Sequence, residues 1–460
     1  MSAQSGIHID SVSNNVSPLD VARALHRERG FVWLDGDGGS EPGRYSYLSC
    51  RPVEEIVVSG GRDPLSSLPK RSKNTCRAGE LLDAPQWIGY LSYDSIWSIA
   101  RSAAAPRKPP RHRRNGSTPS MELYRYDAMA RFDHQEHRWL VVADSRSAAQ
   151  KLIGRVESAS RRPLTSGACD STEHEARVRS TAPSEHATAI AKALEAIATG
   201  QIYQINLARR FEADYLGEPF RLFENMRRHS PVPLGFFLQT PHAAILGRSM
   251  ETFLRFSAVD RYLQTRPIKG TCPREPLRVF SLKEATKYLQ TDPKEHAEHS
   301  MIVDLMRNDL ARVAEVGSVR VAKSFDIQEY KGLYHMVSTV ECAVPKAIDA
   351  ETILRATFPP GSISGTPKTN ALDWIEALEP GPRGIYCGVM GYFDRQGGFH
   401  LAVAIRTAVV SDGVAEYWSG GGIVSASQTA RELEETEVKA RTFLNCFPSE
   451  RRNAVDRSSD

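Results

Sequence analysis

Residues 385–424 run through three strand-like segments in close succession, IYCGVMGYFD, FHLAVAIRTAVV and VAEYWSGGGIV. Each is rich in β-branched and aromatic residues, and only a few turn residues separate them. Neighbours this close in sequence pair as antiparallel hairpins, because a parallel pair needs a crossover of a dozen or more residues. A strict βαβ repeat is therefore excluded. Further strands are expected in FVWLDG, RYSYLSC, EEIVVSG, MELYRYDAMARFDH, HRWLVVAD, QIYQINLARRFEADY and LYHMVSTVECAV. Helical spacing appears in EHATAIAKALEAIATG, over about 293–314, in TNALDWIEAL and in TARELEETEVKARTFLNCF. Gly200 sits where a helix would end on a C′ glycine. Helices and hairpins combined give an α+β (mixed α/β) fold, with large sheets in the core and helices outside.

Two polar stretches, 101–120 and 158–186, offer almost nothing to bury. Such compositions do not offset the entropy of ordering. They divide the chain into an N-terminal region (1–158), a linker (159–184), a second region (185–449) and a disordered tail (450–460). The basic run 107–114 suits either solvent or an acidic partner. Over the whole chain 41% of residues are apolar and 25% charged, enough for a sizeable core. Net charge is only +4, from 59 Lys and Arg against 55 Asp and Glu, which disfavours a nucleic-acid binder. The first residues lack the pattern of a signal peptide. No apolar run reaches the roughly 20 residues of a membrane helix. Seven cysteines without a CxxC are read as reduced thiols in a cytoplasmic protein.

Two helix starts share a pattern. Asp292 and Glu295 fit an N-cap and capping box around Pro293, and Thr429 and Glu432 repeat it. A second glutamate follows three residues later in each, Glu298 and Glu435. Spacing i, i+3 puts both carboxylates of a pair on one helix face. Their repulsion is relieved by solvent or by a cation. Two facing pairs would suit Mg²⁺, which takes oxygen ligands and a bound anionic substrate. From spacing alone surface charge is the more ordinary reading, with Glu435 paired to Lys439 at i, i+4. His296 and His299 lack the further ligands of a zinc site.

RPIKGT places Lys269 between a rigid and a flexible residue, as an exposed loop lysine or as an amine held against a substrate. Arg406 interrupts an apolar segment and needs a carboxylate partner, from the protein or from a substrate. Glu251, His335 and Tyr386 sit among apolar neighbours, where a structural role is the ordinary one. PPGSISGTPK fails the phosphate-loop pattern. The three glycines 420–422 read as a tight turn or as backbone held close to an anion. No GxSxG element is present, which disfavours acyl transfer by a serine.

Together these segments resemble the chorismate-utilising enzymes, which include anthranilate, aminodeoxychorismate, isochorismate and salicylate synthases. The likeness spans about 185–446 through IYQINLARRF, RPIKGT, KEHAEHSMIVDLMRNDLARV, PPGSISGTPKTNAL, RGIYCGVMGYFD, AIRT and GGGIVSAS…EETEVKA. It is fainter in GRYSYLSCRP and QWIGYLSYD. The resemblance implies Mg²⁺ on the ring carboxylate of chorismate, held by Glu298 and Glu435 with Glu295 and Glu432 close by. It implies that Tyr386, Arg406, Gly422 and Lys439 hold the enolpyruvyl carboxylate, and that Gly270, Thr271 and His335 line the ring. Ser362, in PPGSIS, falls among the substrate-binding positions. Glu251 matches the general acid for a departing hydroxyl.

Gln204 stands where isochorismate and salicylate synthases carry a lysine base, which disfavours that branch. PIKGT in place of PIAGT resembles the aminodeoxychorismate synthases, where the lysine adds to C2 before ammonia enters at C4. That role requires the neutral amine, which burial and a nearby cation favour. SMET replaces the usual SPER, and two extra residues separate Glu251 from Lys269. GIVSAS lacks the acid of GIVADS. FVWLDG does not match the LLES element that binds feedback tryptophan, so tryptophan inhibition is not expected. No cysteine has a glutamine amidotransferase context, so a separate amidotransferase subunit is expected to supply ammonia. The competing readings are anthranilate synthase component I and a non-catalytic chorismate- or partner-binding paralogue.

Overall fold

Strands from both ends of the chain meet in two large sheets, one of 12 strands and one of 10. The computed structural model describes residues 7–12, 16–39, 41–70, 83–102, 118–159, 177–273, 282–291, 293–330 and 333–447. Every described strand pairing is antiparallel, as the closely spaced hairpins require, so the mixing is of helices with sheets. In the larger sheet Val32–Asp35 pairs with Leu234–Gln239. In the smaller, Pro85–Leu91 pairs with Val389–Asp394. Both sheets thus combine strands from before and after the 160–176 segment.

The sheets pack face to face through Ile88, Tyr90, Phe236, Ile245 and Met390. Helices cover the outer faces. Phe220, Phe223 and Phe443 pack on the larger sheet beside Trp33 and Phe237, and Ile302, Met306 and Leu354 pack on the smaller. Each large apolar side chain buried in this way contributes roughly 1.5–3 kcal/mol. No described helix is long and apolar enough to cross a membrane.

Four strands and two helices carry the site. Strand β1 (Gln204–Asp214) is long and lies in the larger sheet. Strands β2 (Ile268–Pro273) and β3 (Leu333–Ala343) pair in the smaller sheet. Strand β4 (Val414–Ile423) runs antiparallel to β1, from Asp214 opposite Val414 to Ile205 opposite Ile423. Helix α1 spans Pro293–Ala311 and α2 spans Thr429–Leu444.

The structure departs from the sequence reading at several points. The glycines 420–422 lie inside β4 and do not form a turn. FHLAVAIRTAVV is two strands in different sheets, Phe399–Val403 and Thr407–Ser411. The crossing comes at Arg406, whose φ is +51°. The 159–184 linker is partly ordered: Val178–Ser180 pairs with β1, and a helix starts at Pro183. Residues 160–176, the basic run 107–114 and the tail 450–460 lie outside the described residues.

Candidate active site

Lys269 is on a strand and not in a loop. It lies opposite Met336, while Thr271 lies opposite His335, so Gly270 is an extra residue on β2. A bulge of this kind bends the strand and re-aims its side chains. The Lys269 side chain is 19% exposed, and its Nζ is 2.8 Å from Oε2 of Glu298 on α1. A Cβ added to Gly422 would sit 3.2 Å from that Nζ and 3.3 Å from Nε2 of Gln204. The missing side chain on β4 is what admits the amine. Strands β1, β2 and β4 converge there, and α1 supplies the countercharge.

Glu251 lies in the short connection between the strands Ala244–Ser249 and Thr252–Ser257. Its carboxyl is buried and accepts a hydrogen bond from Ser362 Oγ at 2.5 Å. Burial pushes it up to about 7, against the opposing pull of the Ser362 hydroxyl and of Lys269 and Lys439. Near neutral pH it therefore still holds a proton for part of the population, as a general acid must. Ser362 sits in a helical turn, Gly361–Ile363.

Helix α2 begins at Thr429 after Gln428, which makes no side-chain cap, so the expected capping box is absent. Glu432 is buried and turned toward the strand instead. A Cβ on Gly421 would lie 3.4 Å from its Oε2 and 3.5 Å from Oε1 of Glu435. Lys439 Nζ is 2.6 Å from Glu435 and donates to the Gly420 carbonyl at 3.0 Å. Asp292 and the Glu295 side chain lie outside the described residues.

Among the described residues no three His, Cys, Asp or Glu side chains converge to hold a metal ion. The donor chemistry nevertheless fits Mg²⁺. Glu298 and Glu432 are buried carboxylates, and buried carboxylates require a cation or a proton. Lysine ammonium groups supply that charge at Glu298 and Glu435. Glu298 from α1, and Glu432 and Glu435 from α2, would offer the ion oxygen donors.

The remaining predicted residues lie on the neighbouring strands and connections. His335 is buried on β3. Gly270 and Thr271 follow Lys269 on β2. Tyr386 is buried and stacks on Trp418 of β4, ring centroids 6.1 Å apart. Arg406 donates to Thr442 Oγ1 at 3.4 Å, on the turn of α2 after Lys439. Lys368 is structural, bound to Asp309 Oδ2 at 2.5 Å and to two carbonyls. His296 stacks on Phe325, and His299 shares a 2.7 Å hydrogen bond with Ser338.

Sequence reasoning missed the support beneath the site. Arg383 and Glu379, both buried, pair at 2.7 Å. Arg383 also donates to the carbonyls of Ile363 and Asn206, and Glu379 accepts from the Ala208 N–H. This pair ties β1 to the turn that carries Ser362. Its only sequence signal is the i, i+4 spacing. Away from this site, a cavity of about 60 Å³ is lined by Asp35, Tyr45, Tyr47, Arg255, Tyr392 and His400. Asp35, from FVWLDG, is engaged there by Arg227 and Arg248, each at 2.8 Å.

Residues 30–445 match the family described as chorismate binding enzyme. The chain is 32% identical to anthranilate synthase component 1 of Streptomyces coelicolor, over 95% of this chain and 88% of that one. It is 41% identical to aminodeoxychorismate synthase component 1 of Klebsiella aerogenes, over 55% of each chain. It thus spans about half the length of that second relative. The crystal structure of anthranilate synthase component I from Streptococcus pneumoniae TIGR4 superposes with a TM-score of 0.75 at 29% identity, covering 94% of this chain and 98% of that one. With the family matched along most of its length and the same fold in a solved relative, the chain belongs to the chorismate-binding enzymes and is a chorismate-utilising enzyme.

Proposed function

We propose that the protein is an aminodeoxychorismate synthase component I, converting chorismate and ammonia to 4-amino-4-deoxychorismate through a covalent adduct on Lys269. The observation that carries this reading is the placement of Lys269 Nζ, largely enclosed, against Gly422 and Gln204, with a buried acid, Glu251, in the same electrostatic neighbourhood. Gln204 cannot act as a base toward water, which supports amination over hydration. The similarity to aminodeoxychorismate synthases supports the same choice.

In this reading Lys269 adds to C2, the ring double bonds shift, and the C4 hydroxyl leaves as water on the proton of Glu251. Ammonia then bonds to C4 and the C2–Nζ bond breaks. The adduct nitrogen returns a proton to Glu251, and the new ammonium gives one to the departing lysine nitrogen, so both side chains end as they began. The net change is chorismate and ammonia to aminodeoxychorismate and water. Bound Mg²⁺ would supply charge for the ring carboxylate. Lys439 and Arg406 would hold the second carboxylate. Lys269 Nζ sits 2.8 Å from Glu298, so the amine must leave that partner before it attacks. A separate glutamine amidotransferase would supply the ammonia, and a high ammonium concentration would replace it.

The test is to incubate the protein with chorismate, Mg²⁺ and ammonium, with and without an added lyase, and to identify the product by chromatography. Aminodeoxychorismate with a mass-detected lysine adduct supports the reading. A Lys269→Ala variant that makes the same product at the parent rate, with no adduct in the parent, ends it. Anthranilate synthase component I is the second reading. It is favoured by a relative of that name aligned over 95% of the chain. Fluorescent anthranilate as the product would establish it.

A further inference from the structure

Two residues beyond Gln204 on β1 lies Asn206, directly opposite Gly422 of β4. Opposed residues of an antiparallel pair point to the same sheet face, with Cβ atoms about 4.5–5.5 Å apart. The Asn206 side chain therefore leaves β1 on the face where Lys269 and Gln204 meet above Gly422. Its backbone is fully engaged: the N–H donates to Ser364 at 2.8 Å and the carbonyl accepts from Arg383 at 2.8 Å. The residue cannot shift without disturbing the buried Arg383–Glu379 pair. Among the described residues, its Oδ1 is nonetheless buried with no hydrogen-bond partner. Leaving such an acceptor unsatisfied is costly, so it calls for a donor that the described residues do not supply.

We infer that Asn206 positions the nitrogen nucleophile: its side-chain oxygen accepts an N–H from incoming ammonia and turns the lone pair toward the ring. The inference rests on the amination reading above. Ammonia attacks with its lone pair, so its N–H groups need acceptors on the side away from the ring carbon. The acids of the site suit this poorly. Glu298 is engaged by Lys269, and Glu251 by Ser362. A carboxylate would also favour ammonium, which has no lone pair to give. A neutral amide oxygen holds ammonia without protonating it. As the C4–N bond forms, the nitrogen becomes cationic and its N–H a stronger donor. The bond to Asn206 then strengthens in the transition state, where it accelerates the step.

The experiment uses the full chain with saturating chorismate and Mg²⁺, varying ammonium chloride at fixed pH in the parent, Asn206→Leu and Asn206→Asp. Leucine keeps the volume and removes the acceptor. Asn206→Leu is expected to raise the KM for ammonia tenfold or more, to change the KM for chorismate less than twofold, and still to form the lysine adduct when ammonia is withheld. Asn206→Asp is expected to lower kcat at least tenfold without weakening ammonium binding, because it favours the protonated form. It carries the same decision should the leucine variant fail to fold. An ammonia KM within twofold of the parent in Asn206→Leu, or a parent-like kcat in Asn206→Asp, overturns the inference and leaves the amination reading standing. A parent that gives no ammonium-dependent product overturns that reading first, and the role of Asn206 with it.

Discussion

Glu251 carries the clearest expectation among single residues. Its carboxyl is raised by burial from its usual 4.5 to about 7. A step that needs its proton should weaken as pH rises through about 7, giving kcat/KM a descending limb there. Glu251→Gln should lower turnover by about 10²–10⁴-fold while chorismate still binds, as loss of a general acid does. The Ser362 hydroxyl stabilises the ionised form, so Ser362→Ala should move the descending limb to higher pH; a limb that stays or moves down would remove Ser362 from this role. The linkage sign is the same for folding. The stability gained from holding the proton is complete below about 4.5 and is lost as pH rises through about 7. Tm of Glu251→Gln should accordingly depend less on pH across that window than Tm of the parent.

The glycine run of β4 separates folding from chemistry within three residues. A Cβ on Gly420 would lie 2.6 Å from the Leu207 carbonyl oxygen, which is backbone and cannot yield. Gly420→Ala should cost about 1–3 kcal/mol, read as a lowered Tm. A Cβ on Gly422 meets only the tips of Lys269 and Gln204, so Gly422→Ala should keep Tm and lose turnover. The reverse pattern would place the amine elsewhere. These elements also show what the sequence could reveal. The segments ending in Gly200, and β1 and β3, follow from periodicity and turn residues alone. The bulge at Gly270 was foreshadowed by the glycine beside the lysine. The crossing at Arg406 was hidden, because an apolar run does not record which sheet each half joins. Glu432 was misread because T-x-x-E spells a capping box wherever it occurs, and only the neighbouring strand turns its carboxyl toward Gly421. Asn206 looked like any polar residue of a strand until its empty acceptor was seen in three dimensions.

At the scale of the whole molecule, the two sheets make the chain one folding unit. A fragment of residues 177–447 would leave Leu234–Gln239 without Val32–Asp35, and Val389–Asp394 without Pro85–Leu91. Such bare, apolar strand edges are aggregation sites. The fragment is expected to be insoluble alone and to be rescued by co-expression with residues 1–159; a soluble fragment that unfolds cooperatively would contradict this. The Arg383–Glu379 pair knits the same unit together near the site. Removing one partner of a buried pair typically costs about 3–5 kcal/mol, so Glu379→Ala should lower Tm sharply, measured by calorimetry.

The contact between Lys269 and Glu298 has a consequence away from turnover. A free amine in an accessible pocket would condense with passing aldehydes and acylate with activated esters. With the Glu298 carboxylate 2.8 Å from its Nζ, the resting side chain is already engaged and is not presented to such electrophiles. If Lys269 is the nucleophile proposed above, this contact guards it from ordinary metabolites until substrate arrives.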